Sequence, residues 1–167
     1  MEIDIKKLCR GIVEFLTEFN VKVEVQTEWY TIEDCKKHPN KLYVFGDNAW
    51  RIGNGGQAVI RGLPNAVGVI TKHRPGTEDR DYFSDSILEL SLIIEDIKRV
   101  AHKAGFSYSD CTIVLPADGL GTGLSDMQNR SPELLKVMNE IIFEVFGVRY
   151  DTDKINKEKY VKNDSKR

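Results

Sequence analysis

The sequence predicts a single α/β domain with three layers, in which helices cover both faces of a mostly parallel central sheet. Short apolar segments of strand length alternate along the chain with segments whose apolar residues recur at helical spacing. This alternation is typical of parallel sheets with helices on both sides. The chain has 167 residues, 41% of them hydrophobic and 30% charged, which is enough for one core without disulfide or metal staples.

The first three predicted elements are a helix, a strand and a short helix. Apolar residues between Ile5 and Phe19 recur every three or four positions, which predicts an additional N-terminal helix within residues 1–20. Residues 21–25 alternate valine with polar residues and predict a half-buried strand. Thr31, followed three residues later by Asp34, predicts the capped start of a short helix that ends at Pro39.

Two units of strand and loop follow in the middle of the chain. Residues 42–45 are a compact apolar strand, and the glycine-rich residues 53–56 then open a short helix through residues 58–60. Residues 67–71 are the third predicted strand. This strand leads into the basic residues 72–75 and then into a polar loop over residues 76–84.

The last third of the domain contains two helices around a fourth strand at residues 112–115. Asp85 is predicted to cap a long helix that Gly105 ends. Ser131 and Pro132 predict the start of the final helix, which ends at Gly147. A short last strand is expected at residues 148–150. The domain therefore spans residues 1–150, and residues 151–167 are a predicted polar, basic tail.

Charge and cysteine content exclude several classes of protein. The net charge is −2, which argues against broad binding to a nucleic-acid backbone, since that requires a basic face. No apolar run approaches the roughly 18 residues of a membrane span, and the N-terminus lacks a signal-peptide pattern. The three cysteines form no CxxC motif, which argues against zinc and against a disulfide framework. We therefore expect a cytoplasmic protein with no metal, no cofactor and no membrane association.

Three loops that follow predicted strands have an unusual composition. They cover residues 46–56, 72–75 and 118–123, and ligands of parallel sheets bind beyond the carboxyl ends of the strands. We expect the three loops to share one rim. Glycines allow the backbone to approach a phosphate closely, and a helix N-terminus favours its charge. Two such loops suit a diphosphate, although tight turns with positive φ also explain the glycines.

Lys72 is the sharpest candidate for chemistry. A lysine becomes a nucleophile when burial or nearby cations lower its pKa, and His73 and Arg74 adjoin Lys72 in the sequence. A solvated basic turn, or a phosphate clamp without chemistry, is the alternative interpretation.

Several polar and aromatic residues near these loops are further candidates. Asp47, Asn48 and Asp118 follow apolar strands, where they can orient ribose hydroxyls or transfer protons. They are equally common turn residues. Trp50 beside the first glycine loop can stack on a base or pack in the core.

Together these loops resemble, in this order, the macro domain, a family of ADP-ribose-binding α/β/α proteins. Residues 52–58 resemble its first glycine loop, and residues 116–124 resemble its phosphate loop. The resemblance is greatest to the terminal ADP-ribose glycohydrolase-like subgroup. Ile70-Thr71-Lys72 resembles the triplet at the end of a strand in that subgroup, and residues 121–124 resemble its Gly-x-Gly-Leu loop. The resemblance covers roughly residues 21–150.

The resemblance implies removal of ADP-ribose from a modified protein or nucleic acid by a metal-independent site. It implies that Lys72 attacks C1″ of the distal ribose and that an acidic residue assists. The subgroup has its aspartate where this chain has Ser125, so Asp118 and Asp126 become the candidates for this acid. The implied ligand-binding residues are Asp47, Asn48, Gly53, Asn54, Gly55, Gly56, Gln57, Gly119, Leu120, Gly121, Thr122, Gly123 and Leu124.

Two other functions are compatible with the same residues. The first is a reader that binds ADP-ribose or a related nucleotide without chemistry, which Ser125 in place of an acid favours. The second is an interaction protein that uses the fold as a scaffold and the basic tail as its contact. As a partner, nucleic acid is expected only in the form of a modified substrate.

Overall fold

The computed structural model describes residues 2–107 and 110–151. Two short 3-10 helices, Gly56–Ile60 and Asp79–Asp81, lie in loops between the main elements. The helices and strands are α1 (Ile5–Glu18), β1 (Lys22–Gln26), α2 (Ile32–Lys37), β2 (Lys41–Asn48), β3 (Ala66–Lys72), α3 (Ile87–Ser107), β4 (Thr112–Pro116), α4 (Met127–Arg130) and α5 (Pro132–Phe146).

The four strands form one sheet in the order β1-β4-β2-β3, and every pair is parallel. This confirms the predicted α/β class. The pairing of β2 with β3 shifts register between Asp47 and Asn48. A register shift redirects the side chains beyond it, and this one lies at the carboxyl ends of the two strands.

Helices cover the two faces of the sheet unequally. On one face α1, α3 and α5 enclose the larger core, which contains Leu42, Ile113 and Leu115 from the strands. On the other face α2 and the 3-10 helix at residues 56–60 cover a smaller cluster around Tyr43 and Phe45. The three-layer architecture is therefore present, with one thin layer. Within the described part of the chain, none of the helices has the length and apolar character needed to cross a membrane.

The helix caps differ from the prediction at α3 and α5. Ser86, rather than Asp85, caps α3, because Ser86 Oγ accepts the Glu89 N–H at 3.2 Å and Glu89 Oε1 accepts the Ser86 N–H at 2.9 Å. Asp85 Oδ1 instead accepts the N–H of Leu134 at 2.8 Å, in the first turn of α5. Ser131 precedes α5 as predicted but makes no capping hydrogen bond with its side chain. One residue of the loop before α3 thus stabilises the start of α5.

The predicted end of the long helix is wrong. Gly105 does not end the long helix, which continues to Ser107. A Cβ at Gly105 would lie less than 3.0 Å from the Phe15 ring, so this glycine allows α1 and α3 to pack closely.

Residues 148–150 form no strand. Tyr150 is instead buried, and its hydroxyl donates to the carbonyl of Pro116 at 2.6 Å. This contact anchors the segment after α5 beside the loop after β4. Apart from Asp151, the predicted tail lies outside the described residues.

Candidate functional site

A cleft of about 590 Å³ opens where β2, β3 and β4 end. Its volume is within the range of roughly 300–1,000 Å³ that is common for small-molecule sites. The loops after all three strands contribute to its lining, as predicted. Of the residues predicted to be catalytic or to bind ADP-ribose, all except Asn54 and Asp126 line this cleft.

The two exceptions have other surroundings. Asn54 is exposed outside the cleft. Asp126 has a left-handed backbone with φ +47°; its Oδ1 accepts from Asn129 at 2.8 Å, and its Oδ2 lies 3.7 Å from Arg130 Nε. Asp118 is therefore the one of the two candidate acids that lines the cleft.

Lys72 lies at the end of β3 with only 6% of its surface exposed. Its Nζ donates to the carbonyl of Gly76 at 2.7 Å and lies 4.3 Å from the centroid of the Tyr82 ring. Burial lowers the pKa of Lys72, with Asp81 opposing the shift and Arg130 adding to it. A lower pKa increases the fraction of neutral amine at a given pH, which is the nucleophilic form.

The sequence neighbours of Lys72 do not play the part predicted for them. His73 Nε2 lies 2.6 Å from Glu89 Oε2, and Arg74 pairs with Asp81 at 3.0 Å. Neither is among the charges that shift the pKa of Lys72. The prediction that His73 and Arg74 lower this pKa is therefore wrong.

Asp47 and Asn48 form the wall below the first glycine loop. Both oxygens of the buried Asp47 carboxylate bind Arg61, at 2.6 and 2.7 Å. This carboxylate therefore has a structural role. Asn48 Nδ2 donates to the carbonyl of Ile52 at 2.8 Å. Its Oδ1 is buried and has no hydrogen-bond partner among the described residues. A buried acceptor without a donor costs about 1–3 kcal/mol. Asn48, rather than Asp47, therefore has an acceptor that a ligand could satisfy.

The two glycine loops combine turns with open backbone. Gly53, Gly56, Gly119 and Gly121 have positive φ, so turn geometry accounts for part of the glycine content. Gly56 opens a short helix, as predicted, and this helix is of the 3-10 type with five residues. Elsewhere along the same wall a Cβ at Gly55 would lie 3.1 Å from Leu124 Cδ1. The two loops therefore approach each other across the cleft.

The aromatic residue that lines this cleft is Trp29 and not Trp50, the tryptophan that the sequence predicts there. Trp29 is 64% exposed and lines the cleft. Trp29 follows the carboxyl end of β1. This position after a strand is the signal in the sequence that predicts its place on the rim. The Oε1 of Gln57 accepts the N–H of Tyr30 at 2.8 Å and so fixes the Trp29 segment against the first glycine loop. Trp50 lies outside the lining and stacks with Arg74 at 5.4 Å.

The floor of the cleft includes a pair of hydroxyl groups. Ser125 Oγ lies 2.6 Å from Thr71 Oγ1, which also approaches the carbonyl of Asp47 at 3.2 Å. Ser125 occupies the position where the macro-domain resemblance implies an acid. The site thus contains a hydroxyl network at that place, with Asp118 as the carboxylate of the same loop.

Metal binding has no obvious donor set here. Within the residues that the structure describes, no three or more histidine, cysteine, aspartate or glutamate side chains are grouped so that they could hold an ion. All three cysteines are buried and free.

No curated protein and no solved structure matches this chain. A family model described as a family of unknown function (DUF7831) matches residues 25–141. The match begins in β1, ends within α5 and includes every residue that lines the cleft. The chain therefore belongs to this family of unknown function, DUF7831.

Proposed function

We propose that the protein binds ADP-ribose in the cleft and removes it from a modified protein or nucleic acid, with Lys72 as the nucleophile. One observation carries this proposal: the buried Lys72 lines the same cleft as both glycine loops. A nucleophile beside two phosphate-compatible loops suits a substrate that joins a diphosphate to a reactive sugar carbon.

The lining of the cleft supports an elongated nucleotide ligand. Glycine backbone on two sides permits close approach of phosphate oxygens, and the exposed Trp29 offers a flat apolar surface at the rim. Asn48 supplies a buried acceptor without a partner among the described residues, suited to a hydroxyl of the ligand. Asp118 is exposed on the loop after β4, where a ribose hydroxyl can reach it.

The proposed reaction begins with the neutral amine of Lys72. Its Nζ forms a bond to C1″ of the distal ribose as the bond from C1″ to the modified macromolecule breaks. The departing group takes a proton from Asp118 or from water held by it. Water then adds at C1″ as the bond to Nζ breaks, and a proton of this water replaces the one that Asp118 or its bound water supplied. ADP-ribose and the neutral amine of Lys72 are released. A hydrogen bond from the amine to the Gly76 carbonyl leaves the nitrogen lone pair free to react.

A reader without chemistry is the second candidate, and the hydroxyl pair of Ser125 and Thr71 favours it. A hydroxyl is a far weaker proton donor than a carboxylic acid at neutral pH. If Asp118 does not take the role of the acid, the cleft retains binding and lacks turnover.

Single-turnover release of ADP-ribose distinguishes these candidates. Enzyme in excess is mixed with ADP-ribosylated protein or oligonucleotide, and released ADP-ribose is measured by mass spectrometry. We expect release by the wild-type chain and its loss in Lys72→Ala. Lys98→Ala is the matched control, because Lys98 pairs with Glu95 on α3 and does not line the cleft. Unchanged release by Lys72→Ala would exclude the lysine mechanism, and no release by the wild type would favour the reader.

We also place the protein in the cytoplasm. Three buried, unpaired thiols suit a reducing compartment, where disulfides are rare.

A further inference from the structure

We propose a second anion site, for a divalent oxyanion such as inorganic phosphate or a phosphomonoester, in a groove beside the edge strand β3. The groove has a volume of about 270 Å³, and its lining includes Arg51, Arg61, Arg99 and Lys103 together with the backbone of Gly68. The inference does not depend on the proposed function of the main cleft.

The cations of this groove outnumber the carboxylates beside them. Asp47 binds Arg61 through both oxygens. Asp96 accepts two hydrogen bonds from Arg51 Nη2, at 2.7 and 2.8 Å. These two pairs account for two of the four cations, so the groove has two positive charges in excess.

The excess charge lies on Arg99, which shares a carboxylate with Arg51, and on Lys103. Arg99 Nη2 donates to the carbonyl of Gly68 at 2.8 Å and lies 3.3 Å from the Asp96 carboxylate that Arg51 already occupies. The side-chain ammonium group of Lys103 has no hydrogen-bond or ion-pair partner in the described part of the chain.

Arg99 and Lys103 also repel each other along α3. Arg99 and Lys103 are four positions apart, where like charges repel and destabilise a helix. Burial and the charge of Arg99 together lower the pKa of Lys103. A bound anion between the two side chains would remove this repulsion.

Size and charge limit the kind of anion. A groove of about 270 Å³ is smaller than the roughly 300–1,000 Å³ of sites for whole drug-sized ligands, which favours a compact group. An excess of two positive charges matches a phosphate or phosphomonoester near neutral pH better than a single carboxylate. Guanidinium groups also present parallel donors that suit tetrahedral oxyanions.

The groove and the main cleft share Asp47 and Arg61 as lining residues. Phosphate added in solution can therefore reach either cavity, and a test must separate them. Amide resonances of Gly62 and Gly68 report on the groove, since both glycines line it and neither lines the cleft. Amides of residues 119–123 report on the cleft.

The experiment is a titration of the full chain with inorganic phosphate, followed by amide NMR, with ribose 5-phosphate and acetate as parallel titrations. We expect saturable shifts at Gly62 and Gly68 and at least about tenfold weaker binding by Lys103→Gln and by Arg99→Gln, since each removes a charge-assisted hydrogen bond. Lys98→Gln on the same helix is the control and should bind as the wild type does. Tighter binding of phosphate identifies the free anion, and tighter binding of ribose 5-phosphate identifies an esterified one.

Three results would overturn the proposal. They are unchanged phosphate binding by Lys103→Gln, shifts confined to residues 119–123, and acetate binding as tight as that of phosphate. Amide spectra of each variant report whether it is folded. ADP-ribose binding is measured separately, so failure of the main cleft as an ADP-ribose site leaves this outcome readable.

Discussion

A side chain at Gly121, in the second glycine loop, should destabilise the fold. The φ of Gly121 is +81°, and a Cβ there would lie 3.0 Å from Met127 Cγ and closer still to the sulfur. A left-handed backbone costs a residue with a side chain roughly 1–2 kcal/mol. Overpacking of a filled site adds about 1–3 kcal/mol. Gly121→Ala should therefore lower the free energy of unfolding by about 2–5 kcal/mol.

Two other glycines separate these contributions. Gly147 has φ +72° and open space around it, so Gly147→Ala should cost only the backbone term of about 1–2 kcal/mol. Gly123 has neither a positive φ nor an atom within 4 Å of an added Cβ, so Gly123→Ala should leave stability unchanged or raise it by up to about 1 kcal/mol. Urea unfolding followed by circular dichroism measures all three variants. Equal stability of Gly121→Ala and Gly123→Ala would refute the steric reasoning.

Three further predictions concern titration, anchoring and reactivity. The charge of Arg130 helps to lower the pKa of Lys72, so Arg130→Gln should raise that pKa. The pH profile of Lys72 acetylation by acetic anhydride, measured by peptide mass spectrometry, should then move to higher pH. An unmoved profile would contradict this. Tyr150→Phe removes the buried hydrogen bond to the Pro116 carbonyl and should cost about 1–3 kcal/mol in urea unfolding, whereas stability equal to the wild type would show that the bond contributes nothing. Burial raises the pKa of each cysteine thiol to about 11. A thiol reagent at pH 8 should therefore label none of Cys9, Cys35 and Cys111 in the folded chain and all three after unfolding. Rapid labelling of the folded chain would refute this.

Sequence patterns predict the structure correctly where it depends on residues that are close together in the chain. The cap of α2 is an example, since Thr31 Oγ1 accepts the Asp34 N–H at 3.0 Å, as their spacing predicts. The four parallel strands follow from the alternation of apolar segments, and their parallel order brings the three loops to one rim. Most of the cleft lining could therefore be predicted from the chain alone.

Contacts between distant segments could not be predicted in this way. Asp85 caps α5 through Leu134, although its place in the sequence suggested that it caps α3. The cation that acts on Lys72 is Arg130, which lies far along the chain, and the adjacent His73 binds Glu89 instead. Gly105 resembles a helix terminator in the sequence, yet it is the site of close contact with Phe15. Each error arises because tertiary packing decides which neighbour a side chain meets.

Calorimetric titration of the wild-type chain with ADP-ribose, with AMP and NAD as controls, tests directly whether the cleft binds ADP-ribose. We expect saturable micromolar binding of ADP-ribose and markedly weaker binding of both controls. Trp29→Ala should weaken it, since Trp29 lines the rim of the cleft, while Trp50→Ala, outside the lining, should not. Absence of ADP-ribose binding, or equal affinity for all three nucleotides, would contradict the assignment of this cleft as an ADP-ribose site.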